Sequence, residues 1–502
     1  MKQELKQLKT DLSEAENYQQ WKEAALKHDD ASGQGRWKDA EHSRLYDHAS
    51  IRRRLDRLRN LRKQGDDHGL LFALNEGIHG NMGGMGKPKL YERAKFGTKR
   101  LIVEYVEEIT DALHYLDELQ SSDISFEEKL HFFRRASHCF GRSALMLSGG
   151  AVLGYFHLGV VKALQEQGLL PDVISGASAG AIVAGVVGTH NNEELNSFFD
   201  PKNLTTEISS EATILKRVML GNRAQLNVED LEALVERMIP NLTFQEAYEL
   251  TGRKINITIA PAELHQTSRL LNATTSPNVY IRRAVMASSA VPGIFPPVVL
   301  HAKNAHGEEQ LYLPNRKWID GSMADDLPAK RLSRLYGTNH YIASQTNPLV
   351  LLFVRDVKTE QGLASLAWQF GQRSLLMGLR TSLALSTKYM RNAAGMHRFL
   401  DGLYSLASQE YTADINIIPR YRLFDPRKLL THASQEELMF LIKEGEIATW
   451  PKLEMVRVCT LISKTLDGIL YKYEEENASR VSARPRSKPA RKTTKRKRAA
   501  NM

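Results

Sequence analysis

From about residue 141 to about residue 356, short apolar runs alternate with segments of helical periodicity, and this alternation constrains the fold more than any other feature of the sequence. The apolar runs occupy residues 144–148, 172–175, 254–260 and 349–356. Such an alternation is typical of a parallel or mostly parallel β-sheet that is covered by helices. We therefore predict a three-layer α/β domain over residues 141–356.

The regions that flank this domain have other patterns. Residues 1–140 carry apolar stripes at helical spacing, for example over 51–63 and 101–116, and they predict an N-terminal helical domain. Residues 357–476 predict a C-terminal helical region, and residues 477–502 predict a disordered basic tail.

A glycine-rich segment, GNMGGMGKP at residues 80–88, contains a Gly-Lys pair as phosphate-binding loops do. Those loops also need Gly five residues before the pair and Ser or Thr after it. Asn81 and Pro88 occupy these two positions here. We interpret the segment as a connection between helices and not as a nucleotide site.

The formal net charge of +10 originates in the tail. Ten basic residues lie between Arg480 and Arg498, and residues 480–502 contain no Asp or Glu, so the remainder of the chain has no net charge. The tail is compatible with a solubilising role, with anionic lipid headgroups or with nucleic acid. Nothing in the sequence predicts a specific nucleic-acid partner.

Cysteine usage and the N-terminus bear on the cellular compartment. The two cysteines, Cys139 and Cys459, exclude a disulfide framework and have no metal-ligand spacing. The N-terminus is charged and lacks the apolar core of a secretory signal. The most apolar stretch, residues 173–188, is short and glycine-rich for a membrane span. We expect a cytoplasmic protein.

Residues 361–400 combine apolar side chains with five basic residues and no acidic one. A segment of this composition can lie in the interface of an anionic membrane. It is equally compatible with a core or dimer helix whose charged residues are solvated.

Residues 176–180, Gly-Ala-Ser-Ala-Gly, follow a short strand and begin an apolar helix. This is the context of a nucleophile elbow, in which a serine sits on a tight, strained turn between small residues. The N-terminus of the helix directs free N–H groups at any negative charge that forms nearby. Ser178 is therefore the candidate nucleophile, and a structural turn is the alternative.

A second glycine-rich segment, GGAVLG at residues 149–154, joins the first strand to its helix. Unobstructed N–H groups of Gly149, Gly150 and Ala151 could form an oxyanion hole, which stabilises the charge that develops during acyl transfer. The segment also approximates a dinucleotide-binding loop, with Asp172 about twenty residues further on. Asp172 precedes its strand, however, whereas a ribose-binding carboxylate belongs at the strand's C-terminal end.

A serine hydroxyl needs a base to become a strong nucleophile. In KWIDGS, residues 317–322, Asp320 ends a strand-like run immediately before a glycine. Active-site carboxylates are commonly found at such an edge of a sheet. An ordinary Asp in a turn is the alternative interpretation.

Four motifs in this order resemble the patatin-like acyl hydrolases. They are LSGGAVLGYFHLGVVKAL (147–164), ISGASAG (174–180), ASSAVPGIFPPV (287–298) and DGSMADDLP (320–328). The N-terminal region is similar to the domain of unknown function that precedes the patatin core in triacylglycerol lipases of oil bodies. The resemblance covers roughly residues 15–475, and Ala151 and Leu153 depart from the family's usual Gly and Arg or Lys.

This resemblance implies a patatin-like sandwich and a serine lipid acyl hydrolase, either a triacylglycerol lipase or a phospholipase A or lysophospholipase. It implies a Ser178–Asp320 dyad with an acyl-enzyme intermediate, an oxyanion loop at residues 149–151, and no metal or organic cofactor. The expected partner is a lipid substrate at a membrane or lipid-droplet surface, with which the protein associates peripherally.

Two alternatives stay open. A triad would need a histidine after Asp320, and His340, His397 and His432 are the candidates, whereas His157 is interpreted as a packing residue. The second alternative is a lipid-binding protein at a membrane surface, with a regulatory or inactive hydrolase core.

Overall fold

A computed structural model describes residues 2–120, 123–199, 228–263, 266–292, 295–347, 413–420 and 435–483. The predicted apolar strand at 349–356, the basic segment at 361–400 and the tail from 484 onward lie outside the described residues.

The N-terminal region is helical. Its helices are α1 (Lys2–Glu14), α2 (Tyr18–Ala31), α3 (Gln34–Asp39), α4 (His48–Gln64), α5 (Asp67–Gly77), α6 (Lys89–Glu92), α7 (Arg100–Glu118) and α8 (Phe126–Phe140). The predicted stripe in α4 is buried at Ile51, Leu55 and Leu58. The glycine-rich segment at 80–88 lies between α5 and α6 and contains one 3₁₀ turn, Met82–Gly84, so it connects helices as expected.

The central region alternates strands and helices. Its elements are β1 (Arg142–Leu147), α9 (Tyr155–Glu166), β2 (Val173–Gly176), α10 (Ala179–Thr189), α11 (Asn192–Phe198), α12 (Val228–Met238), α13 (Phe244–Thr251), β3 (Lys254–Pro261), β4 (Arg269–Leu271), α14 (Ile281–Ser288), β5 (Leu300–Lys303), β6 (Glu309–Tyr312), β7 (Trp318–Asp320), α15 (Ser322–Asp325), α16 (Ala329–Tyr336), β8 (Thr338–Ser344) and β9 (Ile415–Ile417). Two further helices follow, α17 (Gln435–Thr449) and α18 (Leu453–Ala483).

Seven strands form the central sheet, in the order β4-β3-β2-β1-β8-β9 with β7 also paired to β3. The five strands from β3 to β9 in this order are parallel, while β4 and β7 are antiparallel to β3. Strands β5 and β6 form a separate hairpin. The expected mostly parallel α/β sheet is confirmed.

Helices cover both faces of this sheet. Successive side chains of a strand point to opposite faces, so the strands contribute apolar side chains to two cores. In β1, Leu145 and Leu147 belong to the larger core, against which α10 and α14 pack. Ala144 and Met146 point to the other face, where they join Leu332 of α16. The three-layer arrangement predicted from the sequence is therefore present.

The sheet register brings the candidate carboxylate to the candidate nucleophile. Ile259 pairs with both β4 and β7, so these two strands lie on opposite edges of β3, and β7 shares an edge with β2. On that edge Gly176, the last residue of β2, pairs with Ile257, and Asp320 pairs with Ile259. Asp320 thus lies just past the end of β2, where the chain turns at Ser178.

The C-terminal helices bind to both other regions. Helix α17 packs on α9, and α18 packs on α7 and α8. The crossing of α9 and α17 is so close that a Cβ on Gly159 would collide with the carbonyl oxygen of Ile442, and one on Gly445 with that of Phe156. The helix α18 continues to Ala483, past the predicted boundary at residue 476.

This crossing gives a test of the interface. Gly159→Ala places a methyl group against backbone, so we expect it to lower the free energy of unfolding by about 1–3 kcal/mol. Gly468→Ala is the control, because a Cβ on this exposed glycine of α18 would have no other atom within 4 Å, and it should raise stability by about 0.5–1 kcal/mol. Urea unfolding followed by circular dichroism measures both, and equal stability of Gly159→Ala and wild type would contradict the close crossing.

Candidate active site

Ser178 sits on a strained turn between β2 and α10. Its backbone has φ 52° and ψ −122°, a conformation that non-glycine residues rarely adopt. The turn is closed by backbone hydrogen bonds from Gly180 N to Ala177 O (2.9 Å) and from Ala181 N to Ser178 O (2.8 Å). The strand-turn-helix context expected of a nucleophile elbow is present, with Ser178 half-buried at its apex.

The two glycines of the elbow are required by close backbone contacts. A Cβ on Gly176 would collide with the carbonyl oxygen of Gly180, and a Cβ on Gly180 would collide with that of Leu147. The G-x-S-x-G pattern therefore reflects the tight packing of the turn against the end of β1.

Ser288, the last residue of α14, fastens the elbow to the sheet. Its Oγ accepts a hydrogen bond from the backbone N–H of Ser178 (3.0 Å) and donates one to the carbonyl of Thr258 (2.7 Å). The N–H of Ser178 is therefore occupied in this arrangement. Ser288 is buried, so its hydroxyl holds the turn without exposure to solvent.

Asp320 is buried at the end of β7 and directed to the elbow. Its Oδ1 accepts the backbone N–H of Ser322 (2.8 Å), and its carboxyl interacts by hydrogen bonding with the side chains of Ser322 and Ser178. Burial raises the pKa of Asp320 to about 6, because the charged form is desolvated, while these hydrogen bonds oppose the rise. The next residue must be glycine, because a Cβ at position 321 would collide with the Thr258 carbonyl.

The loop after β1 lies against the same site. A Cβ on Gly149 would lie 3.4 Å from Cβ of Ser178. Gly150 admits no side chain, since its Cβ would lie 2.9 Å from Cβ of Thr346 and collide with the Thr346 hydroxyl. Ala151 has φ 49°, so the alanine that replaces a family glycine is held in the left-handed region.

The N–H groups of the loop are not equivalent. Gly149 N–H donates to Oδ1 of Asp326 (2.8 Å) and is therefore occupied in this arrangement, contrary to its expected role as an oxyanion donor. Among the described residues, the N–H groups of Gly150 and Ala151 have no hydrogen-bond acceptor. These two groups are the available donors beside Ser178.

Asp326 is a second buried carboxyl close to the first. Burial raises its pKa to about 8, the Gly149 hydrogen bond opposes the rise, and the nearby charge of Asp320 adds to it. Two interacting carboxyls in a buried site do not both ionise readily. Burial raises the pKa of both carboxyls, and that of Asp326 further, so the pair disfavours carrying two negative charges.

His157 supports the loop from below and is not a base for Ser178. Its Nε2 donates to the carbonyl of Ser148 (2.9 Å), and its Nδ1 accepts from the hydroxyl of Ser344 (2.6 Å). Thr346 extends this buried network by donating its N–H to Oγ of Ser148 (2.9 Å). Burial lowers the pKa of His157 to about 4, so the ring is neutral and structural.

The candidates for a triad histidine and for a ribose-binding carboxylate do not lie beside Ser178 in the part of the chain that the structure describes. His340 pairs with Ser143 near the start of β1, at the opposite end of the parallel strands from Ser178, so it cannot complete a triad. Asp172 also lies at that end, before β2, so it is not the ribose-binding carboxylate of a dinucleotide site at the glycine loop. His397 and His432 are outside the described residues.

Ser288 and Asp326 were not singled out by sequence reasoning, although both lie inside motifs that were recognised. Ser288 is in ASSAVPG and Asp326 is in DGSMADDLP. Their positions within conspicuous motifs were the only available signal, because their partners are 110 and 177 residues away in sequence.

The part of the chain that the structure describes has neither a metal-binding cluster nor a membrane-spanning helix. Within it, no group of three or more His, Cys, Asp or Glu side chains is arranged to hold a metal ion. None of its helices combines the length and apolar character that crossing a bilayer requires.

A strained serine between a parallel strand and a helix, with a buried carboxylate beside it, defines the class of α/β proteins with a nucleophile elbow. The family model described as patatin-like phospholipase matches residues 145–332 of this chain. A family model described as a domain of unknown function, DUF3336, matches residues 1–138. The resemblance seen in the motifs is thereby confirmed.

Curated relatives resemble the chain over most of its length. It is 33% identical over 467 residues to triacylglycerol lipase SDP1L of Arabidopsis thaliana, with 90% of this chain and 56% of that protein covered. It is 35% identical over 468 residues to triacylglycerol lipase 4 of Saccharomyces cerevisiae, with 88% of this chain and 50% of that protein covered. The chain thus spans about half the length of these relatives.

Among solved structures, VipD from Legionella pneumophila matches with a TM-score of 0.29 and 16% identity, over 67% of this chain and 68% of that chain. The assignment of the fold rests on the sheet order and the family match, and not on this superposition.

Proposed function

We propose that this protein is a serine lipid acyl hydrolase that releases fatty acids through a Ser178–Asp320 dyad and an acyl-enzyme intermediate. The observation that carries the proposal is the strained Ser178 just past the end of β2, with the buried carboxyl of Asp320 beside it at the end of β7. The family match and the relatives named triacylglycerol lipases support the same class of reaction.

In the proposed mechanism, Oγ of Ser178 attacks the acyl carbonyl while Asp320 accepts the serine proton. Asp320 then gives this proton to the leaving alcohol, and an acyl-enzyme remains. Asp320 then takes a proton from water, which attacks the acyl-enzyme, and it returns this proton to Oγ of Ser178 as the Oγ–acyl bond breaks and the fatty acid is released. The residues need no metal or organic cofactor for these steps.

Negative charge on the carbonyl oxygen is stabilised by N–H groups that point at it in advance. The donors in this proposal are Gly150 and Ala151, whose N–H groups have no acceptor among the described residues. Gly149 serves instead to anchor the loop through Asp326. The N-terminus of α10 adds a favourable dipole at the same place.

The two buried carboxyls support this division of roles. Because burial raises the pKa of Asp326 further than that of Asp320, we assign the negative charge of the pair to Asp320, where the base is needed. A base with a pKa near 6 is ionised at neutral pH and is still basic enough to accept a proton in the transition state.

The substrate class follows from the relatives, whose names specify triacylglycerol lipase and patatin-like phospholipase. We propose triacylglycerol or a phospholipid, bound from a membrane or lipid-droplet surface by a cytoplasmic protein that associates peripherally. Purified protein incubated with dispersions of both lipids, followed by a lipid-class profile of the products, tests the proposal. Vesicle binding without release of any fatty acid would favour the inactive lipid-binding alternative.

The pKa of Asp320 leads to a prediction for the pH profile. Below its pKa the carboxyl is protonated and cannot accept the proton of Ser178, so kcat/KM should rise with pH through an apparent pKa near 6. The profile is measured with a soluble short-chain ester, so that lipid packing does not vary with pH. A profile whose acidic limb falls near the ordinary pKa of an exposed Asp would contradict burial of the base.

A further inference from the structure

The segments that lead into the strand carrying Asp320 expose apolar side chains. Leu311 is 54% exposed and Leu313 is 37% exposed, and Pro296 and Pro297 on the neighbouring segment are also exposed. The two segments are joined by the β-bridge between Val298 and Trp318. We call these exposed side chains, together with Arg316 and Lys317, the rim cluster.

The rim cluster lies at the active-site end of the sheet. Trp318 pairs with Pro261, the last residue of β3, and Asp320 follows two residues later beside Ser178. The turn at 313–316 therefore precedes the catalytic strand directly. A surface that approached this turn would meet the entrance to the site and not a remote face.

The turn presents its apolar side chain rigidly. The N–H of Arg316 donates to the carbonyl of Leu313 (2.9 Å), and Pro314 occupies the second position of this turn, where proline fixes the backbone. Leu313 has φ 53°, which is a strained conformation for a bulky residue. A folded chain that holds leucine at the surface in a strained conformation has lost stability there without gaining a buried core residue.

The charges of the cluster favour an anionic surface. Arg316 and Lys317 have no ion pair among the described residues. Glu309, two residues before Leu311 on β6, pairs with His301, and Glu308 contacts Asn304 at the tip of the hairpin. Exposed apolar groups beside unpaired cations are what an interface of anionic lipid headgroups and acyl chains binds.

We propose that the rim cluster is the surface by which this protein docks on an anionic lipid layer, with Leu311 and Leu313 inserted among the acyl chains and Arg316 and Lys317 on the headgroups. The inference rests on the proposed function, because it explains how an ester within the lipid layer reaches Ser178. It specifies which face of the protein meets the lipid and orients the site toward the layer.

The test uses full-length protein in a Ser178→Ala background, so that the vesicles are not hydrolysed. Leu311→Asp/Leu313→Asp should lower binding to vesicles of phosphatidylcholine and phosphatidylglycerol about tenfold or more, since two inserted apolar groups are lost. Both positions are at the surface, and Asp tolerates a positive φ better than leucine does, so the fold should persist. Arg316→Ala/Lys317→Ala should weaken binding about fivefold per charge and reduce its dependence on salt.

Phe72→Asp/Tyr471→Asp is the matched control, because these side chains are 57% and 71% exposed on helices of the N-terminal and C-terminal regions, and it should bind like the parent. Equal binding by the Leu311/Leu313 variant and this control would overturn the docking surface. With Ser178 restored, the Leu311/Leu313 variant should hydrolyse a soluble ester normally and dispersed lipid poorly. Absence of ester hydrolysis in the wild type would instead overturn the proposed function, while the vesicle result would still decide the docking surface.

Discussion

Ser178→Ala is expected to lower kcat by about 10⁴-fold or more on both a soluble ester and a lipid dispersion. The substitution removes the oxygen that is proposed to form the acyl-enzyme, while the N–H groups of Gly150 and Ala151 remain. Alanine keeps the small volume of the elbow, so the protein should fold as the wild type does. Steady-state release of fatty acid, together with a thermal melt, measures both expectations.

Ser175→Ala is the control for this variant, since Ser175 lies three residues earlier in β2 and is fully buried. Its hydroxyl has no hydrogen-bond partner among the described residues, so its removal should leave activity and stability nearly unchanged. If Ser178→Ala kept the wild-type rate, Ser178 would not be the nucleophile. If both variants were unfolded and inactive, the loss of activity would reflect disrupted packing and not the removal of the nucleophile.

The sequence was sufficient for the parts of the site that depend on local structure. A strand, a tight turn and a helix within 173–189 determine the elbow, and each is encoded by neighbouring residues, such as the glycines that pack against backbone. The Asp-Gly pair at 320–321 similarly marks the end of a strand. The alternation of apolar runs predicted the layered sheet because buried parallel strands need little more than apolar residues of suitable length.

Features that depend on distant partners were not predictable in this way. The contact between Asp326 and Gly149 joins residues 177 positions apart, and neither the Asp nor the Gly reveals its partner by type. For the same reason Gly149 was expected to be an oxyanion donor, whereas its N–H is occupied here. The strand order, in which β7 joins β3 beyond the end of β2, was equally hidden in the sequence, although it brings Asp320 to Ser178.

Asp320→Asn should reduce kcat by about 10⁴-fold without loss of stability. The amide has nearly the shape of the carboxyl and can still accept the N–H of Ser322, but it cannot take the proton of Ser178. Stability at pH 8 should be equal or higher, because burial raises the pKa of Asp320 and the ionised form is therefore the costly one above pH 6. A pH–rate profile and thermal melts at pH 5 and pH 8 separate the two effects.

Asp325→Asn provides the comparison, since Asp325 lies in the same motif but pairs with Arg331 (3.3 Å) instead of contacting Ser178. It should retain activity within a few-fold, because its charge is satisfied away from the elbow. Normal activity in Asp320→Asn would remove the dyad from consideration, and loss on substitution of His397 or His432 would then indicate a triad. If activity is lost in Asp320→Asn but kept in the variants of His397 and His432, and the fold is intact, a single buried carboxylate serves as the base. His340 is not an alternative base because it lies at the other end of the strands, and His157 is not one because it donates to the carbonyl of Ser148.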